Sequence, residues 1–207
     1  ETGKVSKPTV LLDKMTWDAH DNPVISMDED GYIWIFSTSH GRSRPSYIHK
    51  SQEPYDISSF ERIHPFYMKD GEKVPFDNFS YMQPWYIKDQ GFMACVTRYN
   101  FPTDRTPSFM KSRDGKEWTS WKKFSLIGRG SYQISYANEN KIATLFNIHP
   151  EFPGQEIHPL NYRSNLYYLE SKDFGETWQS VDGQQIHLPL KQIENPALVH
   201  DYLTNRK

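Results

Sequence analysis

The sequence predicts an all-β protein, and its composition provides the first reason. Of its 207 residues, 36% are hydrophobic and 15% are aromatic, so aromatic side chains form a large part of the apolar material. Tyrosine, tryptophan and phenylalanine favour strands, whereas long amphipathic helices need leucine, alanine, glutamate and lysine. The 14 prolines and 11 glycines favour frequent turns. The composition therefore argues against a helical bundle and favours short strands joined by turns.

A repeated turn motif provides the second reason. Residues 171–178 read SKDFGETW, which fits the pattern S-x-D-x-G-x-T-W, and residues 112–118 read SRDGKEW, a shortened version. In such a turn the aspartate accepts backbone N–H groups, the glycine adopts a positive φ, and the tryptophan packs on the neighbouring unit. Each copy lies between two predicted strands, so both mark the same place in a repeating unit.

The spacing of the predicted strands indicates a β-propeller of four-stranded antiparallel blades. First strands begin near residues 23, 80 and 130, and third strands near 46, 108 and 165, a repeat of 50 to 62 residues. Propeller blades have this layout, because each sheet packs its faces against its neighbours. A β-sandwich with turn-rich hairpins is the alternative. The blades are expected at about residues 20–65, 79–126 and 129–185, with the start of a fourth at 190–207.

Three full blades and the start of a fourth do not close a ring, because propellers have about four to eight complete blades. An open arc leaves sheet edges and faces unpaired. We therefore expect residues 1–207 to form a single propeller domain that is incomplete. The ring would be completed by a further part of the propeller or by association with another chain.

Net charge, hydropathy and cysteine content exclude several classes of function. The chain carries 24 Lys and Arg against 26 Asp and Glu, and this balance gives no general attraction for nucleic acid. No apolar run approaches the roughly 20 residues of a membrane-spanning helix. We expect neither nucleic acid nor a membrane as a partner. The single cysteine, Cys95, excludes an intrachain disulfide, and its place in a predicted strand indicates a buried apolar residue.

Polar and cationic residues recur at equivalent strand ends of two neighbouring blades. His20 precedes the first strand of the first blade and His40 follows its second strand, while Tyr81 and Arg98 hold these positions on the next blade. In a four-strand meander these positions lie at the same end of the sheet, so the four residues are expected to share one rim. Histidine beside arginine offers proton transfer with anion binding, and tyrosine adds a second proton donor or acceptor.

This residue set suits β-elimination of a uronic-acid polysaccharide. Removal of the C5 proton creates an enolate-like dianion, so cations must first neutralise the carboxylate. A base then takes the proton, and an acid protonates the leaving glycosidic oxygen. Glycoside hydrolysis needs two placed carboxylates instead. The rim offers only Asp18 and Asp21, both beside a proline turn that we expect them to cap.

Several segments around these residues resemble a known family. They read HDNP at 20–23, HGRSRP at 40–45, SYMQPWY at 80–86 and RSNLYY at 163–168. Together with the repeated aspartate turns, or Asp boxes, they resemble the BNR-4 repeat proteins. That family includes propeller polysaccharide lyases of about seven blades, notably ulvan lyases and related rhamnose–glucuronate lyases. Asp boxes also occur in sialidases, so they specify the fold alone.

The resemblance implies a role for each matching residue. His20 corresponds to a catalytic base or acid and His40 to a second histidine near the substrate carboxylate. Tyr81 corresponds to a tyrosine that transfers a proton, and Arg98 to the arginine that neutralises the uronate. Further substrate-binding roles are implied for Arg42, Arg44, Arg163 and Asn165.

The same resemblance bears on cofactor, partner and location. The elimination needs no cofactor, although a structural metal ion is known in some ulvan lyases, and the sequence does not identify its ligands. The expected partner is a uronate-containing polysaccharide, and a secreted or periplasmic protein would meet it.

Two other functions are compatible with the sequence. One is a sialidase-like glycoside hydrolase, which requires an arginine triad and a tyrosine nucleophile paired with a glutamate. The Phe-Arg-Ile-Pro segment usual in that class is absent from the 207 residues. The other is a non-catalytic carbohydrate-binding propeller, which the many aromatic residues would suit equally well.

Overall fold

The fold is all-β, as the sequence predicts. The computed structural model describes residues 3, 5, 7–14, 16–41, 43–100, 103–151 and 162–203. Within these ranges the regular structure consists of strands, most of them in antiparallel sheets. The described residues contain no helix of the length and apolarity needed to cross a membrane.

The first blade is a four-stranded antiparallel meander. Its strands β1 to β4 pair in chain order and span Pro23–Met27, Ile33–Ser37, Tyr47–Ser51 and Phe60–Ile63. A hairpin follows it, formed by β5 (Phe66–Lys69) and β6 (Glu72–Pro75). This hairpin lies in the segment that joins the first blade to the second.

The second blade repeats the meander. Its strands are β7, β8, β9 and β11, which span Ser80–Ile87, Gly91–Tyr99, Arg105–Ser112 and Lys122–Lys123. The intervening strand β10, Glu117–Trp118, leaves the blade and pairs in parallel with β5 of the hairpin. The hairpin is thereby attached to the second blade as well as to the first.

The third blade has the longest strands at its centre. Strands β12 to β16 pair in chain order and span Gln133–Ala137, Ile142–Ile148, Ser164–Ser171, Trp178–Gln179 and Gln185–Ile186. A fourth blade was expected to begin within 190–207. Among the described residues of that segment, β17 (Leu198–His200) instead pairs with β14, at the edge of the third sheet.

The three blades pack face to face around their first strands, as the blades of a propeller do. Strand β7 lies beside β1 on one side and β12 on the other. Side chains alternate across β8, so Phe92 and Val96 pack towards the first blade, whereas Met93 and Cys95 pack towards the third. Cys95 is fully buried, as its position in the sequence predicts.

The two repeated turns form equivalent hydrogen bonds. Asp114 Oδ1 accepts the backbone N–H groups of Lys116 and Glu117, each at 2.9 Å. Asp173 Oδ1 accepts the backbone N–H of Thr177 at 2.9 Å. Each aspartate therefore closes its turn by satisfying backbone donors that no strand partner reaches.

The glycine of the shortened turn packs against the neighbouring blade. Gly115 has a φ of 71°, and a Cβ at this position would overlap the indole ring of Trp34 in the first blade. Trp118, three residues later, is buried in the core between the two blades. The turn motif therefore contributes to packing between blades as well as to the turn itself.

Candidate functional site

Asp18 joins the two histidines that the sequence analysis selected. Its Oδ1 lies 2.6 Å from Nδ1 of His20, and its Oδ2 lies 2.6 Å from Nδ1 of His40. The two imidazole rings stack with their centroids 4.3 Å apart. A carboxylate only accepts hydrogen bonds, so each Nδ1 donates and each Nε2 lies on the ring edge away from Asp18.

The hydrogen bonds to Asp18 also keep it ionised. The backbone N–H of His20, followed by the ring N–H groups of His20 and His40, holds the pKa of the Asp18 carboxyl far below its usual value. Such a carboxylate orients both imidazole rings through their Nδ1–H groups.

Asp21 holds the loop that carries His40. Its buried carboxylate accepts the backbone N–H of His40 and the hydroxyl of Thr16, each at 2.6 Å. Arg44 Nε lies 3.4 Å from the same carboxylate. The Asp21 carboxylate therefore fixes the His40 loop rather than its own turn. Asp18 does cap the turn, as we expected, because it accepts the backbone N–H of His20 at 2.9 Å, and it also binds the two imidazoles. His20 and His40 are 20 residues apart in the sequence, so the sequence alone does not show that they share Asp18 as a partner.

Ser80 connects the second blade to the His40 loop. Its hydroxyl donates to the backbone oxygen of Ser39 and accepts the N–H of Gly41 at 3.1 Å. Ser80 is buried, so these bonds are shielded from water. The start of β7 is thereby held beside the histidine pair.

A bulge then directs Tyr81 at the histidines. The register of β7 against β8 shifts between Ser80 and Gln83, and Tyr81 has a φ of 49°. Bulges and left-handed backbone in a bulky residue often occur beside functional sites, where they redirect a side chain. The Tyr81 ring lies edge-on to His20 and His40, with centroids 6.1 and 6.0 Å away.

Three tyrosines and an arginine continue the site towards the third blade. Tyr81 packs edge-on to Tyr132 with centroids 5.0 Å apart, and the hydroxyls of Tyr99 and Tyr132 are 3.4 Å apart. Arg105 Nε donates to the Tyr132 hydroxyl at 2.7 Å. We call Tyr81, Tyr99, Tyr132 and Arg105 the tyrosine group.

The members of the tyrosine group differ in acidity. Burial raises the pKa of Tyr81 and of Tyr99, so both remain protonated. Burial acts in the same direction on Tyr132, but its hydrogen bond with Tyr99 and the charge of Arg105 outweigh it and lower its pKa. Two proton donors therefore lie beside one phenol that ionises more easily.

Gly130 brings together the strand ends that carry Arg105 and His149. It has a φ of 96°, and a Cβ there would overlap the backbone oxygen of Arg105. The Gly130 oxygen accepts the N–H of His149 at 2.9 Å, and the Arg105 oxygen accepts the N–H of Ser131 at 2.8 Å. Because no side chain fits at this crossing, the glycine permits the close approach.

His149 lies behind Tyr132 in a strongly cationic environment. The residue is 5% exposed, and its ring centroid is 5.7 Å from that of Tyr132. Burial, followed by the charges of Arg105, Arg163 and Arg129, lowers the pKa of His149 to about 4. His149 is therefore neutral near pH 7.

Arg98 lies on the opposite face of its strand from the site. Its Cζ is 4.3 Å from the ring centroid of Trp121. Neighbouring residues in a strand point to opposite faces, so Tyr99 faces His40 and Arg98 points away. Arg105, paired with Tyr99 across the strands, carries the guanidinium of the tyrosine group. The pairing of these two strand ends is the signal that would have found Arg105 in the sequence.

The predicted substrate-binding residues are distributed differently. Arg163 is exposed and lies over Tyr132, with its Cζ 4.6 Å from the ring centroid, at the edge of the tyrosine group. Asn165 is buried, and its Oδ1 accepts the N–H groups of Tyr202 and Leu203 at 2.9 and 3.2 Å. Asn165 thus binds a segment of its own chain, which favours a structural role for it.

The remaining two predicted arginines lie in the His40 loop. Arg44 donates to the backbone oxygens of Thr38 and Pro45 at 2.7 and 2.8 Å. Its guanidinium therefore stabilises the loop, together with its approach to Asp21. Arg42 lies outside the described residues.

Among the described residues, the histidine pair and its aspartate also have the composition of a metal site. One ring nitrogen of His20, one ring nitrogen of His40 and an oxygen of Asp18 lie within 4.8 Å of one another. Two imidazoles and one carboxylate form a ligand set known from metalloproteins.

Comparison with known proteins identifies the family and the fold. One solved structure, described as polysaccharide lyase PL25, an ulvan lyase, matches with a TM-score of 0.70 and 20% sequence identity, over 89% of this chain and 46% of that one. A second, of a PL25 ulvan lyase bound to glucuronate (1-4)-linked to rhamnose 3-sulfate, matches with a TM-score of 0.68 and 19% identity, over the same shares. The chain thus spans about half the length of these lyases.

No curated protein matches the chain. A family model does match it, over residues 3–207, and describes BNR repeat-containing family members. The chain belongs to the BNR repeat-containing family.

Proposed function

We propose that the protein is a polysaccharide lyase that cleaves uronate-containing chains, such as ulvan, by β-elimination. The observation that carries this proposal is the histidine pair, oriented by Asp18, facing a tyrosine group that contains a guanidinium. The shared fold with ulvan lyases supports it. The chain spans about half the length of those lyases. The lyase activity is therefore proposed for the whole protein and not for these 207 residues alone.

The histidines supply the base in this proposal. Asp18 holds the Nδ1–H of His20 and of His40, so a neutral ring presents the lone pair of Nε2. That nitrogen accepts the C5 proton of the uronate. The Asp18 carboxylate then stabilises the imidazolium through the hydrogen bond to Nδ1.

Tyr81 supplies the acid. Its phenol is protonated and lies between the histidines and Tyr132. As the C5–H electrons form the C4–C5 double bond, the C4–O4 bond breaks and the phenolic proton passes to O4. The imidazolium then returns a proton to the phenolate, and no water is consumed.

Arg105 supplies the positive charge. It donates to the Tyr132 hydroxyl, and the exposed Arg163 lies over the same ring, with its Cζ 4.6 Å from the centroid. A uronate carboxylate bound here would be neutralised as charge develops at C5, which is the largest single contribution to catalysis of this kind. On this geometry Arg105 fits the role that the sequence analysis predicted for Arg98, and that choice can be tested directly.

An exposed tryptophan next to Asp18 in the chain favours a carbohydrate ligand. Trp17 is fully exposed and directly precedes Asp18. Hydrogen bonds hold the chain on both sides of Trp17. The Thr16 hydroxyl donates to the Asp21 carboxylate, and Lys14 Nζ donates to the backbone oxygen of Asp18. Sugar rings present apolar faces that pack on such indoles. A secreted or periplasmic location would give the protein access to such a polymer.

The experiment is to incubate the protein with ulvan and with other uronate polymers. Elimination produces an unsaturated uronate, whose ultraviolet absorbance is recorded, while new reducing ends are measured in parallel. An absorbance rise that His40→Gln abolishes is the expected result. Reducing ends without that absorbance would instead indicate a sialidase-like hydrolase. Binding without either product would indicate a carbohydrate-binding propeller. Each of these two outcomes would refute the proposed lyase activity.

A further inference from the structure

We propose that Asp18, His20 and His40 form a binding site for a divalent transition-metal ion such as Zn²⁺, and that the bound ion prevents proton transfer by the histidines. The binding part stands independently of the lyase reaction. The inhibitory part rests on the function proposed above.

The ligand atoms already converge. Both Nδ1 atoms lie 2.6 Å from an oxygen of the same carboxylate. A ring nitrogen of each histidine and an oxygen of Asp18 also lie within 4.8 Å of one another. Zinc binds histidine nitrogen and carboxylate oxygen at about 2.0–2.2 Å, so ligand atoms around it lie about 3.3 Å apart. Small rotations of the rings would open the two short hydrogen bonds and let an ion enter between them.

The surroundings allow an ion to enter and to leave. The side chain of His20 is 55% exposed, that of Asp18 33% and that of His40 29%. Solvent therefore reaches all three ligand groups. Three protein ligands leave a coordination position for water, as in open zinc sites.

The ligand types select the class of metal. Imidazole nitrogen binds Zn²⁺, Ni²⁺ and Cu²⁺ well, whereas Mg²⁺ and Ca²⁺ require oxygen ligands. The carboxylate of Asp18 adds an oxygen ligand beside the two ring nitrogens. The site is thus expected to take the transition metals and to leave Mg²⁺ in solution.

The tautomer of the imidazoles explains why a bound ion would inhibit. Without metal, Nδ1 of each ring carries the proton donated to Asp18, and Nε2 carries the lone pair. When Nδ1 binds the ion, the proton of the neutral ring moves to Nε2, with no net release of protons. Neither ring then has a lone pair facing the substrate, so the base is lost.

The test is a calorimetric titration of the whole chain with ZnCl₂ in the absence of polysaccharide. We expect one Zn²⁺ per chain and no heat from MgCl₂. His40→Gln and Asp18→Asn should each weaken Zn²⁺ binding at least about tenfold. His187→Gln is the matched control, because it removes another exposed imidazole far along the chain and should leave the affinity unchanged. Unchanged affinity in His40→Gln, or an equal loss in His187→Gln, would overturn the site.

A second measurement does not depend on any variant folding correctly. Nitrogen NMR of the wild-type imidazoles distinguishes a proton on Nδ1 from one on Nε2. Addition of Zn²⁺ should switch two rings from the first form to the second. If all rings keep their form at saturating Zn²⁺, the proposal is refuted. Since neither measurement involves polysaccharide, failure of the lyase assay and failure of the metal site are distinguishable.

Discussion

Acidification should destabilise the protein through His149, by an amount that follows from its surroundings. Its pKa is lowered from 6.5 to about 4 in the folded chain. Between these values the unfolded chain binds a proton that the folded chain does not, so the free energy of unfolding falls as the pH falls. The contribution of neutral His149 to the free energy of unfolding is complete above pH 6.5 and is lost as the pH falls towards 4. From pH 7 to pH 4.5 the loss amounts to about 2.5 kcal/mol.

The groups around His149 explain the sign. A proton on its ring would add a positive charge, away from water, beside the guanidinium groups of Arg105, Arg163 and Arg129. Asp104 offsets part of this repulsion, but it is already paired with Arg129 at 2.5 Å. Protonation is therefore more costly in the folded state than in the unfolded chain.

The assay compares urea unfolding of wild type and His149→Gln at pH 7 and pH 4.5. Other groups titrate in this range as well, so the informative quantity is the difference between the two proteins. Wild type should lose about 2.5 kcal/mol more than the variant on acidification. His187→Gln, which lacks an exposed imidazole, should behave as wild type does. An identical pH dependence of wild type and His149→Gln would refute the reasoning.

Three further predictions concern catalysis, packing and binding. Arg105→Gln should slow elimination by about 10²–10³-fold, as loss of a charge-stabilising group does, whereas Arg98→Gln should change the rate little. Gly115→Ala should lower the free energy of unfolding by about 2–4 kcal/mol in urea, since its Cβ would overlap an indole at a positive φ. Trp17→Ala should raise KM about tenfold with kcat unchanged, because a stacking contact binds substrate and transition state alike.

Each of these predictions has a control within the chain. Equal losses in Arg105→Gln and Arg98→Gln would contradict the assignment by sheet face. Gly183 has a similar φ of 79° with no atom near its missing Cβ, so Gly183→Ala should cost only about 1–2 kcal/mol. A cost equal to that of Gly115→Ala would argue against the packing explanation. Trp17→Phe should keep most of the affinity, and a loss as large as that in Trp17→Ala would argue against stacking.

The strands and turns were predictable because their causes are local. Alternating side chains, turn residues and the repeated aspartate motif act over a few residues, and the main strands of the three described blades lie close to their expected places. The pairing of β17 with β14 was not predictable, since a short edge strand carries little signal of its partner. The same local topology placed His20, His40 and Tyr81 at one rim, where the structure brings them together.

The sequence alone therefore determined the all-β class, the repeating four-strand unit and the rim on which the histidines and Tyr81 lie. Only the tertiary structure decided that Asp18 serves both histidines and that Arg105 joins the tyrosine group while Arg98 packs on Trp121. The reason is physical. Strand order follows from short-range patterns, but the face of a strand on which a side chain lies, and the partner it meets across blades, depend on register and bulges that form only when the sheets pack.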